Sequence, residues 1–141
     1  FGNCTYQVTW QFKPIDDTIE FIVSSNYAQR WTGVGFSQAR SLVNVDAIFA
    51  WIEENSRYVM MDAFLPTYAE PIGDKQQSVF NISATTSNRL VSFRFTRKRN
   101  TGDSQEDLAF ADEKCLYLIY PVEGGSVDIK NRVVITSEHV Q

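Results

Sequence analysis

Trp31-Thr-Gly-Val-Gly-Phe-Ser37 and, a short loop later, Asn44-Val-Asp-Ala-Ile-Phe-Ala-Trp51 decide the fold of this chain. In the first stretch Trp31, Val34 and Phe36 surround Gly33 and Gly35. Glycines inside a strand mark a bulge or the close approach of another group. In the second, Ala47 to Ile52 is a continuous apolar run between Asp46 and Glu53, a length that suits a strand buried on both faces.

Outward from this pair the hydrophobic period stays at two. Tyr6, Val8, Trp10 and Phe12 alternate with Gln7, Thr9 and Gln11, until Pro14 and Asp16-Asp17 turn the chain. Ile19, Phe21 and Val23 repeat the pattern. Glu53 to Ser56 reads as a hairpin turn, and Tyr58 to Phe64 as its returning strand. Leu65 to Gln77 is loop-like. Phe80, Ile82 and Ala84, then Val91, Phe93 and Phe95, form two more alternating sets. The segment from Arg97 to Lys114 is polar, with a short helical turn expected around Glu106 to Phe110. Cys115 to Tyr120 is a strand stopped by Pro121, Gly124-Gly125 permits a tight turn, and Arg132 to Thr136 is the last strand. The pattern predicts an all-β, two-sheet, mostly antiparallel immunoglobulin-like sandwich of about nine to eleven strands. Its expected core is Tyr6, Val8, Trp10, Ile19, Phe21, Val34, Ile48, Val91, Phe93 and Leu118.

The 141 residues fit one domain, 1–141, long enough to bury a hydrophobic core. It reads as a mature form, or as a domain cut from a larger extracellular or membrane-anchored protein. Aromatic residues make up 13% of the chain, which suits sheet faces that need large flat side chains. Net charge is −4, so a phosphate backbone is repelled and nucleic acid is not an expected partner. The basic cluster Arg94, Arg97, Lys98 and Arg99 reads as a solvated turn after a strand. No apolar run is long enough to span a bilayer.

Cys4 and Cys115 have no metal-ligand or redox spacing. Two sequons, Asn3-Cys-Thr and Asn81-Ile-Ser, make Asn3 and Asn81 candidate glycosylation sites and point to an extracellular or secreted location. Asn81 falls on the polar side of its alternating segment. In that setting a Cys4–Cys115 disulfide is expected, and closing so long a loop would stabilise the fold by about 4–5 kcal/mol. Catalytic signatures are missing. The chain has a single histidine, His139, and no nucleophile elbow, phosphate loop or zinc-protease motif. It reads as a non-enzyme, with no metal site, or as the non-catalytic domain of a redox enzyme.

The two opening stretches, with Trp10 on the first strand, Asp62 ending the Tyr58 strand, and Thr101-Gly-Asp103 followed by Asp107, resemble the DOMON family. These are extracellular β-sandwich modules related to the cytochrome domains of some secreted oxidoreductases. The resemblance covers most of the chain, to about Pro121. In it, Asp46 receives backbone N–H groups at a strand entry, and Asp103 after Gly102 makes a turn.

Some members of that family hold a b-type haem between a Met and a His. Counting back from Trp51 and Asp46, the Met position falls on Leu42, which has no electron pair to offer iron. His139 is the sole candidate for the other ligand. Met60 and Met61 are substitute candidates, but neighbours on a strand point to opposite faces. The resemblance makes Trp31, Phe36, Leu42 and Tyr120 candidate pocket-lining residues. It implies a non-catalytic extracellular binding module, without a cofactor, for a protein partner, a glycan or neighbouring domains. The alternative is a haem b domain with altered ligation, acting in electron transfer.

Overall fold

The structure, a computed structural model, describes residues 3–67, 71–121, 123–128, 130–131 and 133–134. Eleven strands are formed among them: β1 (Tyr6–Lys13), β2 (Thr18–Ser25), β3 (Thr32–Ser37), β4 (Val45–Ile52), β5 (Tyr58–Leu65), β6 (Ile72–Gly73), β7 (Val79–Ser87), β8 (Leu90–Lys98), β9 (Tyr117–Ile119), β10 (Val127–Asp128) and β11 (Val133–Val134). They build a four-stranded sheet, β1-β2-β8-β7, and a five-stranded sheet, β6-β5-β4-β3-β9, with β10 and β11 paired apart. Every pairing is antiparallel. β2 packs over β3 and β7 over β5, so β1 and β9 share one edge of the sandwich.

The expected period-two faces produce the inter-sheet core. Phe21, Val23 and Phe95 of one sheet meet Val34, Phe36 and Ile48 of the other, and Val91 and Phe93 meet Ala50. Phe21 stacks on Phe95 with centroids 5.2 Å apart. β4 is buried along nearly its whole length, as its unbroken apolar run predicts. Its other face, Val45, Ala47, Phe49 and Trp51, forms a second apolar cluster with Trp31, Ala63 and Leu65.

Trp10, expected in the core, is 61% exposed. It shares a face with Tyr6 and Val8, but β1 is an edge strand and the opposing edge strand β9 has only three residues to cover it. Tyr6, Val8, Ile19 and Leu118 are partly buried against the core. Phe80 and Ile82 are exposed because the β7–β8 register shifts between Phe80 and Ser83 and breaks their alternation. The expected helical turn at Glu106 to Phe110 does not form. Asp103 instead caps a turn, its Oδ1 accepting the N–H groups of Gln105 and Glu106.

The expected Cys4–Cys115 disulfide is also absent. Both cysteines are free and exposed. The register explains this. Tyr6, two residues after Cys4, stacks on Tyr120 with centroids 5.1 Å apart and donates its hydroxyl to the Gly33 carbonyl. Cys115 lies before β9, beyond Tyr117, which pairs with Ser37. The two cysteines therefore sit toward opposite ends of the shared edge. A disulfide needs Cα atoms within roughly 7 Å.

Candidate functional site

Two regions carry unusual chemistry. The first lies between the sheets, where the loop after β8 closes one end of the sandwich. Val91, Phe93, Phe95 and Arg97 alternate inward along β8, so the last inward position carries a guanidinium. Arg97 is buried, which corrects its expected place in a solvated turn. Arg94 and Lys98 are exposed, and the Arg99 guanidinium stands over the Phe12 ring at 5.2 Å. Arg97 Nη1 donates to Asp46 Oδ2 at 2.8 Å, and Nη2 donates to the Leu108 carbonyl at 2.8 Å. Its Cζ lies 4.4 Å from the Phe110 ring centroid.

Asp46 also accepts the Leu108 N–H at 2.7 Å. The backbone donor is not local to the strand entry but comes from the distant loop. Asp62, on the same face of neighbouring β5, accepts the Ser78 N–H at 2.9 Å. Asp107 reaches in from the loop, with Oδ2 3.9 Å from Arg97 Nη2. Asp74, after β6, is buried beside them. Burial raises the Asp46 carboxyl above its ordinary range, against the pull of Arg97 and the Leu108 N–H. Burial pushes Asp62 up to about 7, opposed by its bond from Ser78. Asp74 is pushed up to about 9, first by burial and then by the charges of Asp62 and Asp107.

The second region is on the outer face of the five-stranded sheet. Trp31, Leu42 and Tyr120 line an apolar pocket there, floored by Gly33 and Gly35 and walled by Val45, Ala47, Leu65 and Ile119. The glycines are required by close approach. A Cβ on Gly33 would stand 2.2 Å from the Ile48 carbonyl oxygen, and one on Gly35 would stand 2.8 Å from Val45 Cγ1. Phe36 does not line this pocket. It points the other way, into the inter-sheet core, with its ring 4.8 Å from Phe110. Met60 packs between the sheets, and Met61 packs on the outer face beside Gly73 of β6. His139 lies outside the described residues.

This pocket does not fit a haem. Its cavity volume is about 40 Å³. Sites for drug-sized ligands enclose roughly 300–1,000 Å³. Among the described residues no thioether, thiolate or imidazole lines it, and the Tyr120 ring is stacked on Tyr6. A roomier polar hollow of about 370 Å³ lies between Arg30, Glu53, Glu54 and Val127, also without a Met, Cys or His among the described residues of its walls. Along the edge shared by β1 and β9, Trp10, Phe12, Tyr117 and Tyr120 are exposed.

An all-β sandwich sealed at one end by a buried arginine among carboxylates, with a glycine-floored apolar outer face, is the class of module defined here. The chain belongs to the DOMON family, whose profile, described as DOMON domain, matches residues 2–123. A search of curated proteins returns no match. Among solved structures the fold is similar to the cytochrome b domain of pyranose dehydrogenase from Coprinopsis cinerea. The TM-score is 0.64 at 10% identity, over 95% of this chain and 71% of that one.

Sequence reasoning placed Asp46, Asp62, Asp103 and Asp107 in motifs, and the structure brings three of these four together around Arg97. Arg97 itself was missed. Its signal was parity with Val91, Phe93 and Phe95. Asp74 was read as loop and had no periodic signal.

Proposed function

We propose that this chain is a non-catalytic extracellular DOMON module that binds a protein or glycan partner, or positions neighbouring domains, and does not carry haem. The observation behind this reading is the pocket at Leu42, Trp31 and Tyr120. It is small and wholly apolar, and among the described residues it offers iron neither a thioether nor an imidazole. Leu42 stands where the resemblance would put the Met. The extracellular location is supported by the exposure of Asn3 and Asn81, and no helix among the described residues is long and apolar enough to cross a membrane.

The binding surface is the β1–β9 edge. Trp10, Phe12 and Tyr117 expose 61%, 44% and 50% of their surface there. Exposed aromatic clusters mark interaction sites, and Trp and Tyr supply most of the energy in such contacts. The test is binding of the secreted protein to glycan arrays and to candidate extracellular proteins, repeated with Trp10→Ala/Tyr117→Ala. Loss of at least tenfold in affinity with an unchanged melting temperature supports the reading. Binding unaffected by both substitutions contradicts it.

The second reading, a haem b domain with altered ligation, draws on the similar cytochrome b domain. It requires the pocket to widen by hundreds of Å³ and His139 or Met61 to reach it. The position of Met61, packed beside Gly73, argues against that donor.

A further inference from the structure

Three carboxylates from three separate segments converge where the 103–108 loop meets the sheets. Asp46 on β4, Asp62 on β5 and Asp107 in the loop each offer an oxygen, and these oxygens lie within 4.8 Å of one another. All three residues are more than nine-tenths buried. One guanidinium faces them, and its hydrogen bonds go to Asp46 Oδ2 and the Leu108 carbonyl. Asp46 Oδ1 and both oxygens of Asp107 are sealed from solvent with no hydrogen-bond donor among the described residues. Asp74 adds two more such oxygens, close enough for its charge to be felt with those of Asp62 and Asp107.

Buried acceptors without donors are costly, and native proteins rarely keep them. A structural ion pair needs one carboxylate for one guanidinium. Here Arg97 is outnumbered by carboxylates that crowd within 4.8 Å of one another, away from solvent. A positive ion among them would resolve both problems.

We propose that Asp46, Asp62 and Asp107, with Asp74 beside them, form a calcium site that ties the 103–108 loop to the five-stranded sheet. The donor set is all oxygen, which selects hard cations over zinc or copper. Two oxygens bound to one calcium stand up to about 5 Å apart, so the three converging carboxylates fit round a single ion. Arg97 holds Asp46 by its other oxygen, in the manner of the outer partners that orient metal ligands. This site is distinct from the Leu42 pocket, so it stands or falls independently of the haem question.

The experiment is calorimetric titration and thermal unfolding of the whole chain after EDTA treatment, with calcium chloride, and with magnesium chloride at matched ionic strength. The expected result is saturable uptake of one calcium per chain, with a rise in melting temperature of several degrees. Asp107→Asn keeps the shape of the side chain and should weaken calcium affinity at least tenfold. Asp74→Asn serves as the second variant if Asp107→Asn does not fold, with a smaller loss expected. No saturable calcium uptake, equal uptake of magnesium, or unchanged affinity in the folded variants would overturn the proposal.

Discussion

Arg97 Nη1 meets Asp46 Oδ2 at 2.8 Å, with both side chains withdrawn from solvent. The bond joins β8 of one sheet to β4 of the other, and the Leu108 carbonyl and N–H tie the following loop to the same pair. One guanidinium thus fastens two sheets and the loop that closes their end. Removing one partner of a buried pair leaves the other charge uncompensated and costs about 3–5 kcal/mol. Arg97→Met should therefore destabilise the domain by that amount, measured by urea unfolding. A loss below about 1 kcal/mol would place the pair among the weak surface bridges.

The glycine floor makes an ordered pair of expectations. An added Cβ at position 33 meets a backbone carbonyl, which cannot move without disturbing the β3–β4 ladder. At position 35 it meets a side-chain methyl of Val45 rather than backbone. Overpacking typically costs about 1–3 kcal/mol. Gly33→Ala should fall at or above the top of that range and Gly35→Ala nearer the bottom, in thermal unfolding of the two variants. The reverse order would contradict the assigned register.

The cysteines give a chemical check on that register. Both are exposed and unbonded, so Ellman titration of the native, unreduced protein should find two thiols. Cys4→Ser and Cys115→Ser should each change stability by no more than about 0.5 kcal/mol, as surface substitutions do. Finding no free thiol in the monomer would overturn the edge geometry.

The buried carboxyls set a pH dependence in protein freed of divalent cations. Asp62 and Asp74 are raised from 3.8 to about 7 and about 9 in the folded state. The folded protein therefore holds protons that the unfolded chain has released. The stability they contribute is complete below pH 3.8, declines as pH rises toward 7 for Asp62, and continues to fall toward 9 for Asp74. Melting temperature in EDTA should drop from pH 5 to pH 9, and Asp74→Asn should flatten the upper part of the slope. A melting temperature that climbs across this range would contradict the burial of these groups.

The period-two alternation was enough to read the sandwich, because each inward face packs against the other sheet. The inward course of β8 was legible as far as Phe95, and Arg97 continues it by simple parity. Its charge suggested solvent, and only the facing Asp46 and Asp107, 51 residues before it and well along the next loop, explain why it is buried. Trp10 shows the opposite failure. Its parity is right, but exposure there depends on the shortness of β9, which pairing alone reveals. The separation of Cys4 and Cys115 likewise depends on which end of β1 faces which end of β9. Leu42 was placed by counting from motif residues, and the structure sets it in a pocket wall with Trp31 and Tyr120.

The central claim is that this module does not carry haem in the Leu42 pocket. Titrating the purified protein with hemin and recording the Soret and visible bands tests it directly, alongside Leu42→Met. Free-hemin spectra are expected for the wild type at every ratio, because a cavity of about 40 Å³ has no ligating side chain among the described residues to offer the iron. Stoichiometric uptake by the wild type, with a six-coordinate low-spin spectrum, would contradict it.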